Sequence, residues 1–301
     1  MVSEAVRQYD VWRVSASSQR PSLLRTLLVL GRVSNLPTVW SNCLAGWLLG
    51  GAGDWPMFGR LIAGASLLYV GGMFLNDACD EAFDRAHRAE RPIPSGAISS
   101  RWVWPFSYIA LGAGAGILIF AGRVLILPTL GLLACIVLYD VLHKQTALAP
   151  VLMAGCRFLL YLVAGAAAGS GPLQPVLWAA LAMAVYVLGL SYLARREAAG
   201  TQIQGWPLPL LVAPVLLAAI QGGRGEAAVV LWLALLGWVL FSLAPLRTPR
   251  PGVISTVISR LLAGIVIVDI VAVPNASGPQ LIAFALLFGS ALILQKTLPA
   301  T

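Results

Sequence analysis

NDACDEAFDRAHRAERPIPSG, residues 76–96, decides how the rest of this 301-residue chain is read. The chain holds 12 Asp and Glu in all, and Asp77, Asp80, Glu81 and Asp84 crowd into this stretch. They follow directly on 61–75, an apolar run that otherwise reads as membrane-embedded. On a helix, Asp77, Asp80 and Asp84 stand at i, i+3 and i+7, which stacks three carboxylates on one face. Like charges that close repel and raise each other's pKa unless positive charge lies between them. A divalent cation answers that need, and oxygen donors without His or Cys point to Mg²⁺ rather than zinc. Arg85, Arg88 and Arg91 come next, and the planar guanidinium is well shaped to hold phosphate oxygens. Carboxylates, Mg²⁺ and arginines at the end of a membrane helix make a place for a lipid diphosphate.

Composition sets the surroundings of that stretch. With 59% hydrophobic and 11% charged residues and a mean hydropathy of +0.85, the chain reads as a polytopic membrane protein. Cys43, Cys79, Cys135 and Cys156 have no paired spacing and read as reduced packing residues. With two histidines and no Cys/His cluster, a zinc site is not expected. Residues 1–20 are polar and carry Arg7, Arg13 and Arg20, a cytoplasmic tail rather than a secretory signal. An interfacial helix over 21–31 follows, and 21–301 form a single transmembrane domain.

Apolar segments fall at 33–51, 57–76, 102–121, 123–140, 149–168, 174–194, 207–221, 227–245, 254–273 and 280–295. These predict an all-α integral membrane bundle of nine or ten transmembrane helices, since no strand alternation appears. Charge placement favours ten. With a cytoplasmic N-terminus, one side holds fifteen of the twenty Lys and Arg, and the other keeps Arg60, Arg123 and Arg224. The positive-inside rule then puts both termini and the acidic stretch in the cytoplasm, in a bacterial-type cytoplasmic membrane. The net charge of +8 is membrane-flanking charge, and no nucleic-acid partner is expected.

At this point the chain resembles a family. NDxxDxxxD at 76–84, closing a membrane helix and followed by RPIPSG, resembles the first aspartate-rich motif of the UbiA superfamily of intramembrane prenyltransferases. RxxNLPTVWSN at 32–42 and YDxxxK at 139–144 are further matches. The resemblance implies a helical bundle around a central cavity open to the cytoplasm, with Mg²⁺ bridging two acidic motifs to an isoprenyl diphosphate. Carried over residue by residue, it implies Asn76, Asp77, Asp80 and Asp84 for the first motif. The second motif departs: SYLARRE at 191–197 replaces the expected DxxxD pattern, leaving Glu197 as its one carboxylate, beside Arg196.

The reaction itself has physical requirements. Breaking an allylic C–O bond leaves negative charge on diphosphate, which metal and arginine stabilise as it grows. It also leaves a delocalised carbocation, which needs dry aromatic walls. The candidate ligands for Mg²⁺ are Asp77, Asp80, Asp84, Glu197 and Asp140. The candidate diphosphate-holding residues are Asn76, Arg88, Arg91, Tyr139, Lys144 and Arg196. Tyr139 and Lys144 also fit a tyrosine-belt residue and a positive-inside lysine, and Asp140 also fits a helix cap. Asn35 and Asn42 are helix-joining residues or acceptor contacts. Arg157, Arg260 and Asp269 fall within spans, where a buried structural ion pair involving Asp269 is expected. His87 and His143 read as solvated loop histidines. The resulting expectation is a Mg²⁺-dependent prenyltransferase acting on an isoprenyl diphosphate and an unidentified acceptor. A UbiA-type terpene cyclase and a non-catalytic lipid-phosphate-binding membrane protein are the alternatives.

Overall fold

Long apolar segments with no water to bond their backbone must satisfy it internally, and helices do so within one segment. The computed structural model describes residues 22–169, 171–198, 205–220, 225–248 and 252–298, with 196–198 described by backbone alone. The tail expected over 1–20 lies outside the described residues. Among the described residues there are twelve α-helices. They are α1 (Leu23–Leu30), α2 (Leu36–Leu49), α3 (Trp55–Cys79), α4 (Glu81–His87), α5 (Ser100–Ala121) and α6 (Ile126–Leu142). They continue as α7 (Ala149–Ala168), α8 (Leu173–Ala198), α9 (Leu208–Ile220), α10 (Glu226–Leu243), α11 (Val253–Ala272) and α12 (Gly278–Thr297).

All ten predicted apolar segments are helical, and eight are long and apolar enough to cross a membrane. The other two, α2 with 14 residues and α9 with 13, are short for a bilayer core. The segment 21–31 holds α1, whose Leu23 and Leu24 are exposed. The protein is thus an integral membrane helical bundle. Its buried interior draws most on α2, α3, α5, α7, α8 and α11, while few side chains of α10 and α12 are fully buried.

Hydrogen bonds between distant segments show which helix ends lie together. Gln295 Nε2 near the end of α12 donates to Asn35 Oδ1 just before α2, at 3.2 Å. At the other end, the Gly171 N–H donates to the Gly50 carbonyl at 2.7 Å. The backbones there are so close that a Cβ on Gly50 would lie 2.4 Å from the Gly165 carbonyl oxygen. Small residues allow that approach without a hydrophobic drive between helices. The same device joins α3 to α5, where a Cβ on Gly114 would lie 2.8 Å from the Gly64 oxygen. Gly112 and Gly116 meet nothing as close.

Candidate active site

The acidic stretch straddles a break. Helix α3 ends at Cys79, Asp80 takes the capping position, and α4 begins at Glu81. Helical hydrogen bonding nevertheless runs through it: Asp80 N to Asn76 O at 2.9 Å, Asp84 N to Asp80 O at 2.9 Å, Arg88 N to Asp84 O at 2.8 Å. Asp77, Asp80 and Asp84 therefore remain inward and are all buried, at 5%, 7% and 2% exposed. Glu81 turns out and pairs with Arg85 at 2.6 Å, an exposed i,i+4 contact.

Burying three carboxylates requires positive partners. Asp77 Oδ1 lies 3.2 Å from Arg32 Nη2 and 3.5 Å from Arg91 Nη1. Asp80 Oδ1 lies 2.6 Å from Lys144 Nζ and 3.3 Å from His143 Nε2. Burial works against the Asp80 carboxylate, but the hydrogen bonds from His143 and Lys144 outweigh it and hold the carboxyl below its usual range. Burial likewise pulls His143 down, and the Asp80 carboxylate reverses that and raises it. His143 is thus a correction to the sequence reading, being an acidic-cluster partner rather than a solvated loop residue. His87 is exposed as expected, but it closes α4 and stacks on Phe83 instead of lying in a loop.

Asn76 joins the cluster to a second helix. It accepts from Arg32 Nη2 at 3.0 Å and donates through Nδ2 to Asp140 Oδ1 at 3.2 Å. Asp140 is 3% exposed, near the end of α6. Tyr139 stacks on His143, with ring centroids 5.1 Å apart, and Lys144 also lies over the Phe83 ring at 4.0 Å. Arg88 is half-buried and makes no ion pair among the described residues. Arg32, like His143, is a residue that sequence reasoning left out of the site. Its signal was available, because it opens RxxN and carries the charge that interrupts an apolar run. Its backbone has φ +44°, in the left-handed region that L-residues seldom adopt, where the chain turns from α1 into α2.

The altered second motif ends α8. Arg196 and Glu197 lie in its last turn, and their side chains are outside the described residues. Arg195 Nη1 donates to the Thr146 carbonyl at 2.5 Å, two residues beyond the Lys144 that holds Asp80. The ends of α3 and α8 therefore meet through the 143–146 loop, at one end of the bundle.

A cavity of about 90 Å³ adjoins the acidic cluster. Tyr139 and Asp140 line it, and it continues past Ile136, Leu132 and Leu68 to Leu160 and Arg157. Behind Arg157 is a second polar cluster, well inside the bundle. Asp269 of α11 is fully buried and accepts from Ser41 Oγ at 2.5 Å, Asn42 Nδ2 at 2.9 Å and the Tyr161 hydroxyl. Arg157 donates to Asn42 Oδ1 at 2.6 Å and to Thr38. The expected ion pair of Asp269 is thus replaced by a relay through Asn42, because the amide has an acceptor for one partner and a donor for the other. Arg260 is separate, over the Phe241 ring at 4.3 Å.

Among the described residues, no three His, Cys, Asp or Glu side chains converge as a metal site. The donor chemistry nevertheless suits a hard cation. Asp84 Oδ1 and Asp140 Oδ2 are buried and take no hydrogen bond, a condition that costs on the order of 1–3 kcal/mol per group. Oxygen-only donors of that kind are the ones magnesium takes.

The sequence profile of the UbiA prenyltransferase family matches residues 34–292. The chain belongs to that family. Among curated proteins none matches the sequence. Among solved structures, the fold is similar to that of a digeranylgeranylglyceryl phosphate synthase (TM-score 0.60, 20% identity), over 89% of this chain and 99% of that one. It is also similar to a UbiA homolog from Archaeoglobus fulgidus bound to DMAPP and Mg²⁺ (TM-score 0.52, 14% identity), over 91% of this chain and 100% of that one. The same homolog bound to GPP and Mg²⁺ gives a TM-score of 0.52 at 14% identity, over 90% and 99%. At these identities the likeness is one of fold.

Proposed function

We propose that this UbiA-family protein is a Mg²⁺-dependent membrane prenyltransferase, moving an isoprenyl group from its diphosphate to an acceptor. The observation that carries the reading is the gathering of four buried carboxylates (Asp77, Asp80, Asp84, Asp140) with Arg32, Arg91 and Lys144 at the mouth of an apolar cavity. The fold relatives bound to DMAPP or GPP with Mg²⁺ support it.

In this reading Asp84 and Asp140, with Asp77 and Asp80, would hold Mg²⁺, which would supply positive charge to neutralise the leaving diphosphate. Glu197 at the end of α8 is the further candidate ligand. Arg88, Arg91, Lys144 and Arg196 hold the diphosphate oxygens as charge grows on them, and Asn76 fixes Asp140. Tyr139 stands where the cavity begins and screens the reacting carbon from water. The C1–O bond breaks with its electron pair going to pyrophosphate, and the acceptor bonds to C1 and loses a proton. The positive-inside rule puts this end of the bundle, with both termini, on the cytoplasmic side, and residues 21–301 act as one unit.

Incubation of purified protein with dimethylallyl or geranyl diphosphate and Mg²⁺ tests the reading. Pyrophosphate release that needs an acceptor supports transfer, and a cyclised product formed without one supports a terpene cyclase. A second reading, lipid-phosphate binding without turnover, is favoured by SYLARRE and by the existing Asp77 and Asp80 ion pairs. It predicts diphosphate binding with no pyrophosphate released under any acceptor condition.

A further inference from the structure

The end of the bundle away from the acidic cluster carries a cation of its own. Arg60 and Asp77 both stand on α3, about 25 Å apart along its axis. The Arg60 side chain is exposed and makes no ion pair among the described residues. Asp54, the acidic residue nearest to it in sequence, caps α3 and is exposed without pairing to it. Arg60 opens onto a groove of about 510 Å³ between α3 and α5, within the roughly 300–1,000 Å³ of small-molecule sites. Gly59, Arg60 and Ala63 line it from α3, and Ile117, Phe120 and Ala121 from α5. Nearer the middle of the bundle the same two helices touch, since a Cβ on Gly64 would lie 2.6 Å from Leu118 Cγ. The groove lies toward their ends, and Arg60 is its one charged lining residue. Phe120 is 91% exposed and a Cβ on Gly59 would meet open space, so the described chain leaves this face uncovered.

An exposed arginine on a membrane span has few ways to keep its charge. Helix α3 has 25 residues, about 37 Å of helix against a hydrocarbon core of about 30 Å. Arg60 is about 7 Å from the helix start, the depth at which headgroups meet acyl chains. There its stem lies along apolar surface while the guanidinium reaches toward phosphate. The helix ends do not answer that charge, because the positive start of α3 and the negative end of α5 offset one another. Arg123, just beyond Ala121, is also exposed and without an ion pair among the described residues, so this end is net cationic around the groove. We propose that the groove between α3 and α5 binds an anionic phospholipid of the surrounding leaflet, with its phosphate on Arg60 and one acyl chain against Ala63, Ile117 and Phe120. The planar fork takes two phosphate oxygens at once, and the apolar walls take the chain that a free phosphate lacks. The bound lipid acts as a wedge that holds the ends of α3 and α5 at their separation. The inference is independent of prenyl transfer, since the site lies at the far end of α3 from the carboxylates.

Native mass spectrometry of the detergent-purified full chain, mixed with equal phosphatidylglycerol and phosphatidylcholine, tests this, with thermal unfolding in the same lipids beside it. The expected result is a single phosphatidylglycerol retained over phosphatidylcholine by about fivefold per engaged cation, with a higher Tm in the anionic lipid. R60Q removes the preference, and R60K, which keeps the charge, retains most of it. A63W fills the groove with Arg60 in place and lowers retention of both lipids, and it carries the test if R60Q does not fold. Equal retention of the two lipids by the wild type, a folded R60Q protein that keeps the preference, or an A63W protein that retains lipid as before overturns the proposal. Two other occupants have their own signatures, and either one also overturns it. A Tm rise with sn-glycerol 3-phosphate equal to that with phosphatidylglycerol marks a free-phosphate site. A dimer peak lost in R60Q, with lipid retention unchanged, marks an interface between copies of the chain.

Discussion

Two buried polar clusters lie within this bundle, and they differ in whether their atoms are spoken for. Around Asp269 both carboxylate oxygens receive hydrogen bonds, and Asn42 uses its acceptor and its donor. Around Asp80 the charges are paired at the rim, while Asp84 Oδ1 and Asp140 Oδ2 stay without a partner. Both clusters cost free energy to bury. The saturated one recovers that cost within the fold and joins α2, α7 and α11. The unsaturated one leaves part of that cost standing in the fold, at Asp84 Oδ1 and Asp140 Oδ2. Leftover bonding capacity on carboxylates, rather than polarity or burial, is what sets the candidate site apart from the structural cluster around Asp269.

The contrast can be broken most directly at Asp84. With prenyl transfer as the activity, D84N is expected to lower pyrophosphate release by roughly 10²–10³-fold, in line with loss of one electrostatic stabiliser of a leaving group. Circular dichroism and the unfolding temperature should stay near wild type. A severe loss of fold with residual activity would make Asp84 structural.

D269A should show the converse. It strips the partner from Ser41, Asn42 and Tyr161 together, and a destabilisation on the order of 3 kcal/mol is expected from broken buried polar pairing. Thermal unfolding in detergent reads it, and an unchanged Tm would remove the distinction drawn above. Next in size is K144M. Lys144 is a third exposed on its side chain, so loss of its hydrogen bonds to an anion is expected to weaken diphosphate binding about tenfold. Titration with geranyl diphosphate measures it. R85A should do least: its contact with Glu81 is a solvent-facing ion pair, and both stability and activity should move by less than about 0.5 kcal/mol equivalent. A larger effect would extend the site onto the outer face of α4.

Much of this was written in linear order. Hydropathy over 301 residues located ten helical segments, because a bilayer allows few other ways to satisfy a backbone. Asp77, Asp80 and Asp84 share a face because three- and four-residue steps along a helix do so, and even the break at Asp80 leaves that spacing intact. What the linear order lacked was distance between helices. Arg32 is 45 positions from Asp77, Asn42 is 227 from Asp269, and His143 meets Asp80 from another helix end. No periodicity encodes such contacts, since each depends on how whole helices pack and rotate against one another. Tertiary structure alone therefore decided which charges are paired, which carboxylate oxygens remain open, and that Arg60 opens onto a groove between α3 and α5.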